Sequence, residues 1–419
     1  MPGVFGGSGG EATTVQVCPD LTANVRMKET SMEMSPQSML FETVPSILQE
    51  WGCVRRLGQV MAAWTERRNV LIVTDAGLHK AGVLEPAKAS LAAGGFRVAV
   101  FDEVVADPPE IVVSRCVEFA RSAEVDVVIG LGGGSSMDIA KLAAVLIVSQ
   151  QSLADMYGIG NVRGARLPLV QIPTTAGTGS EVTNISIVSV SETNKMGIVS
   201  RQLYADRVIL DAELTVGLPR SHTAATGIDA MVHAIEAYTS KHKKNAISDA
   251  LAREALRLLA NNLIPACENG EDRRAREAML LGATLAGQAF ANAPVAAVHA
   301  LAYPLGGHFH IPHGLSNALM LAPVLRFNAE AAAPQYSELA DVVGADGNGD
   351  AHARTAAFIG FVTDLIERSG APRRLRDVGI TRSSLPTLAA DAMKQQRLLQ
   401  NNPVVVTDAD ALRLYEQAY

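Results

Sequence analysis

Short runs of aliphatic and β-branched residues recur through the first half of the chain. They are NVLIVTD (69–75), FRVAVFD (96–102), VDVVIGLGGG (125–134) and LPLVQIPTT (167–175). Near-continuous apolar strands of this kind are buried on both faces, as in a parallel sheet. Between them lie stretches with helical spacing, such as PPEIVVSRCVEFARSA. Strands alternating with helices predict an α/β domain with a parallel sheet, at about 41–220. Beyond that the texture changes. SHTAATGIDAMVHAIEAYTS, AISDALAREALRLLANNLIPAC and RRAREAMLLGATLAGQAFAN set Ala, Leu, Glu and Arg at helical spacing with few strand signals. An all-helical domain is predicted over 221–419. Residues 1–40 are mostly small and polar with neither period, and are expected to be a disordered extension. There is no internal repeat.

Composition narrows the class. The 419 residues are 48% hydrophobic and 19% charged, with a net charge of −7. A chain of this length is expected to split into two cores. Its acidic balance argues against a nucleic-acid surface, which needs basic stripes. Four cysteines, Cys18, Cys53, Cys116 and Cys267, form no CxxC pair, so neither a thiolate zinc site nor a disulfide framework is expected. No apolar run approaches the roughly 18 residues of a membrane span. The N-terminus lacks the layout of a secretion signal. The expectation is a soluble cytoplasmic protein with no membrane or nucleic-acid partner.

Candidate chemistry sits in two loops and one helix. VVIGLGGGSSMDIAKLAAVL (127–146) reads as strand, glycines, helix, an arrangement that lets a phosphate approach the N–H groups of a helix start. It lacks the Gly-Lys-Ser/Thr of a P-loop and only approximates the usual dinucleotide fingerprint. As a structural reading it is simply a tight turn. PTTAGTGSEVTN (173–184) is a second loop after a strand, dense in hydroxyls. Two such loops at the carboxyl edge of one sheet suggest a shared ligand. Asp75 ends the first strand. It is placed either to accept a ribose hydroxyl and repel a 2′-phosphate, or to cap the next helix.

In GIDAMVHAIEAY (227–238), Asp229 and His233 stand four apart and share a helical face. A buried carboxylate needs a partner, either that histidine or a metal held by both. His299, His308, His310 and His313 cluster in a largely uncharged segment, with His299 in a helical stretch and His313 in a Pro/Gly-bounded loop. Nitrogens from this group with the Asp229 oxygen suit divalent iron or zinc with positions open for substrate. Spacing leaves open which histidines are ligands.

The motifs GGGSSMDIAK, PTTAGTGSEVT, GIDAMVHAIEAY and VHALAYPLGG…IPHG, in that order, resemble the iron-containing (group III) alcohol dehydrogenases from about residue 41 to the C-terminus. The resemblance implies an α/β dinucleotide-binding domain followed by an all-α metal-binding domain, the fold shared with dehydroquinate synthase. It implies Asp229, His233, His299 and His313 as ligands to Fe2+ (Zn2+ or another divalent ion being the alternative). It leaves His308 and His310 out. It puts NAD over Gly132, Gly133, Gly134 and Ser135, with Asp138, Thr174, Thr175, Thr178 and Lys195 around it and Asp107 near the adenosine end. Tyr303 stands where many members carry histidine, and is expected to shape the pocket without being an essential acid–base. The implied activity is hydride transfer between NAD(H) and a small primary alcohol or aldehyde, in a homodimer or larger homo-oligomer, the metal acting as Lewis acid. The alternatives on the same fold are a hydroxyacid–oxoacid transhydrogenase, a maleylacetate reductase-like enzyme, or a lyase resembling dehydroquinate synthase, against which GTGSEVT argues.

Overall fold

A computed structural model describes residues 39–191, 195–345, 347 and 349–419. The expectation for residues 1–40 therefore lies almost wholly outside the described residues. Residues 39–419 form one compact unit. Nine strands are present among the described residues: β1 Ile47–Gln49, β2 Asn69–Asp75, β3 Arg97–Val104, β4 Val127–Gly132, β5 Gly158–Ile159, β6 Leu169–Pro173, β7 Ile185–Ser189, β8 Lys195–Val199 and β9 Arg207–Leu210. Six of them build one sheet in the order β1-β9-β6-β4-β2-β3. Every pairing in it is parallel. The predicted strands are β2, β3, β4 and β6. They occupy the sheet centre and one edge, and β4 and β6 are buried at every position.

The alternation of strand side chains splits the interior in two. Val70, Ile72, Val127, Ile129, Leu131, Val170 and Ile172 pack on one face against the segments around Leu57, Leu84 and Leu91. Leu71, Val73, Val128, Leu169 and Val208 pack on the other, in a core that runs on into the helices beyond residue 220.

Five strands go beyond the sequence reading. β1 and β5 are only three and two residues long, too short for a periodic signal. β9 is a four-residue run, and β7 and β8 are half-buried strands of a separate three-stranded sheet ordered β5-β8-β7. From Arg220 onward the described residues carry helices only. Four of these helices matter to the site: Arg220–Thr239, Arg273–Asn292, Ala297–Phe309 and His313–Asn328. None of the described helices is long and apolar enough to cross a membrane.

Candidate functional site

The two predicted loops are neighbours in space. β4 and β6 pair to their last residues, Gly132 with Pro173, and the Thr174 N–H donates to the Gly132 carbonyl at 3.0 Å. Gly132 has φ 159°, where a Cβ would come within 2.7 Å of the Ser136 hydroxyl. The helix Gly134–Leu146 starts at once, with Gly133 as its cap residue, which brings no side chain to its first N–H groups. A Cβ on Gly134 would lie 2.8 Å from Thr178 Cγ2, and one on Gly133 3.8 Å from Thr175 Cγ2. The glycines thus let the hydroxyl loop close over a bare helix start, the geometry that binds phosphate. Ser135 lies in the first turn of that helix.

Asp138 is engaged within the protein. One of its oxygens accepts from the Ser180 hydroxyl at 2.6 Å and from the Lys141 ammonium at 3.4 Å, and the other accepts from the Ile187 N–H at 2.9 Å. Fully buried Lys141 also donates to Ser180, Thr183 and the Ile185 carbonyl, so the glycine helix is tied to the second loop. Asp75 caps the short helix Ala76–Lys80, accepting the Leu78 N–H at 3.0 Å. Asp107, at φ 50°, pairs with Lys195 at 2.6 Å. The charges of this pair act on His313.

The second loop also touches the helical half. A Cβ on Gly177 would stand 2.8 Å from Thr226 Cβ, one turn before Asp229. Asp229 is 2% exposed, and its Oδ1 faces three imidazole nitrogens: His233 Nε2 at 3.9 Å, His299 Nε2 at 3.8 Å and His313 Nε2 at 3.6 Å. The four donors all lie within 4.8 Å of one another. Ligand bonds of about 2.1 Å around a tetrahedral ion set donors about 3.4 Å apart, so this spacing fits a divalent metal. The distances exceed a hydrogen bond. His233 is thus not Asp229's hydrogen-bonding partner; the Asn317 amide is, donating at 2.5 Å.

Protonation agrees. Burial alone would raise the Asp229 carboxyl, but His233, His313, His299 and the Asn317 amide together hold it below its ordinary value. Burial pushes His233 down to about 3 and lowers His313 as well. An ionised carboxylate with neutral imidazoles is the state a cation binds. The His233 ring stacks on Phe290 at 4.3 Å and on His299 at 4.8 Å.

His313 is not in a loop. It is the first residue of His313–Asn328, directly after Pro312, which makes no side-chain cap, and the residues that follow keep helical spacing. His308 pairs with Asp391, and His310 ends its helix at φ 54°; neither joins the cluster. Tyr303 packs on His313 with ring centres 5.9 Å apart, and burial raises its phenol above the ordinary value.

Sequence reasoning passed over Glu236 and Asn317. Glu236 falls seven residues after Asp229 and three after His233, so its place on the ligand face was readable from helical period. Its carboxylate accepts His299 Nδ1–H at 2.6 Å. Asn317 lies four residues after His313, and its Nδ2 is also 3.2 Å from His299 Nε2 and 3.3 Å from His313 Nε2.

The comparisons with known proteins bear on the family and the fold. The profile of the iron-containing alcohol dehydrogenases matches residues 45–212. The C-terminal profile of the Fe-containing alcohol dehydrogenase family matches residues 223–419. Long-chain-alcohol dehydrogenase 1 of Geobacillus thermodenitrificans is 42% identical over 87% of this chain and 91% of its own. A crystal structure of a 1,3-propanediol oxidoreductase superposes with a TM-score of 0.87 at 32% identity, covering 91% of this chain and all of that one. The sulfoacetaldehyde reductase of Bifidobacterium kashiwanohense, solved in complex with NAD+, gives 0.82 at 28% identity, covering 91% and 99%. With both halves matched and the four donors assembled, the chain belongs to the iron-containing alcohol dehydrogenase family.

Proposed function

We propose that this protein is an NAD-dependent oxidoreductase that moves hydride between NAD(H) and a small primary alcohol or its aldehyde. Asp229, His233, His299 and His313 would hold iron. Gly132, Gly133, Gly134, Ser135, Thr174, Thr175 and Thr178 would carry the pyrophosphate, and Asp75 the ribose. The observation that carries this reading is the four-donor cluster next to the loop that closes over the glycine helix. When bound, the metal supplies Lewis-acid polarisation of the substrate oxygen and NAD supplies or accepts the hydride. The chain's own contribution is placement and electrostatics. Asp229 brings the negative charge that balances a cation, the histidine nitrogens offer lone pairs, and Phe290 and Tyr303 keep the surroundings apolar. Lys195 and Asp107 reach toward His313 from the α/β side. In this reading residues 41–220 carry NAD and 221–419 the metal. The enzyme works in the cytoplasm as a homodimer or larger homo-oligomer.

A panel of alcohols and aldehydes on metal-defined enzyme, with free NAD and NADP, tests it. Turnover with free NAD is expected for primary alcohols, and His299→Ala should lose both metal and turnover while keeping parental far-UV circular dichroism. Full activity after exhaustive metal removal overturns the metal assignment. Activity only with a paired hydroxyacid and oxoacid would make it a transhydrogenase.

A further inference from the structure

We propose that Glu236 is a positioning residue that holds His299 in the one tautomer able to bind metal. The inference rests on the metal-site reading above. Glu236 is 4% exposed. Its Oε2 accepts His299 Nδ1 at 2.6 Å and the Ala296 N–H at 2.9 Å, and its Oε1 accepts the Val298 N–H at 2.7 Å. Both oxygens already take backbone N–H groups, which can only donate, so the carboxylate serves here as an acceptor and its third partner brings the hydrogen. Nδ1 of His299 therefore carries the proton, and Nε2, 3.8 Å from the Asp229 carboxylate, is left with a bare lone pair.

A second contact gives the same tautomer independently. The Asn317 group facing Asp229 Oδ1 at 2.5 Å must be its NH2, because a carboxylate cannot donate. That NH2 stands 3.2 Å from His299 Nε2, which is a sensible neighbour only for a nitrogen without hydrogen. The two sides of the ring agree.

Glu236 also fixes where the ring stands. The helix Ala297–Phe309 begins without a side-chain cap from its own cap residue, Ala296. Glu236, sixty residues earlier, takes the first N–H groups instead, and its negative charge suits that helix end. The same rigid helix carries Asp229, His233 and Glu236. One side chain thus ties the third ligand's helix and ring to the helix of the first two.

The test is metal binding, separate from turnover. Metal-free parent, Glu236→Gln and His299→Ala are titrated with Co2+, following visible absorption, with the dissociation constant set by chelator competition. A glutamine must turn its NH2 toward at least one of the three donors: toward His299 it favours the other tautomer, and toward Val298 it pushes away the start of the helix that carries the ring. Glu236→Gln is expected to bind Co2+ about 10–100-fold more weakly, the usual cost of losing such a partner. Histidine 15N NMR on metal-free parent is expected to show His299 as Nδ1–H. Affinity within twofold of parent in Glu236→Gln, or an Nε2–H His299 in the parent, overturns the proposal. If Glu236→Gln fails to fold, the parent's 15N spectrum alone decides. If His299→Ala also binds like the parent, the metal-site reading itself falls; if only His299→Ala is weakened, just the role of Glu236 falls.

Discussion

Asp75 illustrates how one carboxylate admits two readings at the residue scale. One oxygen caps Ala76–Lys80 through the Leu78 N–H, as the bland reading expected. The cofactor reading survives, because capping needs an acceptor oxygen and repelling a 2′-phosphate needs the charge. Asp75→Asn keeps the first and removes the second. It should raise kcat/KM with NADP relative to NAD by about 10-fold at unchanged melting temperature, on the scale of one lost repulsive contact. An unchanged ratio would leave Asp75 as a cap alone. Tyr303 is the second residue at issue. Burial pushes its phenol up, away from the neutral range where a proton carrier works. Tyr303→Phe should cost less than about 10-fold in kcat, against the 10²–10⁴ of a lost general acid–base. Slowing by roughly 10³, with loss of an alkaline ionisation in the rate profile, would make Tyr303 the proton carrier.

Among the elements, the decisive contact is between Arg220–Thr239 and His313–Asn328. A Cβ on Gly314 would fall 2.3 Å from the Ala225 carbonyl oxygen and 3.3 Å from Asp229 Cβ. The two backbones touch there, and this closeness brings His313 Nε2 within 3.6 Å of Asp229. Gly314→Ala must push the helices apart. It should cost about 1–3 kcal/mol in urea unfolding, the range for overpacking. It should also weaken metal binding by more than about 10-fold, since a site displaced by about an ångström loses most of its fit. Parental stability and affinity together would show that the helices slide freely. Gly179 and Gly287 make the corresponding contact between the second loop and Arg273–Asn292, with a Cβ on Gly179 reaching 2.5 Å from Gly287 Cα.

For the whole molecule, a buried carboxyl links the two halves. Glu181, 2% exposed in the second loop, accepts the Thr284 hydroxyl of Arg273–Asn292 at 2.7 Å. Burial raises its carboxyl above 4.5, with Thr284 and Lys141 opposing. The folded state then holds a proton that the unfolded chain releases. The stability this contributes is fully present below pH 4.5 and is lost as pH climbs through the raised value. Glu181→Gln keeps a neutral side chain at every pH, so it should flatten the melting-temperature profile above pH 4.5. Thermal unfolding of parent and variant between pH 4 and 8 checks this, and parallel curves would refute it.

Period and residue type were enough to determine the central strands, the long helices, the strand–glycine–helix turn and the shared face of Asp229 and His233. These are local properties, because a 2.0 or 3.6 repeat acts on neighbours a few residues apart. Spacing alone did not pick His299 and His313 from four clustered histidines; the family resemblance supplied that choice, and the geometry brings the same four donors together. The short edge strands were illegible because two or three residues carry no period. Tertiary structure decided the rest. The Asn317 bond to Asp229 spans 88 residues and the Glu236 bond to His299 spans 63. Such bonds leave no local trace, since their energy comes from packing that brings a buried donor and acceptor together after the helices have docked.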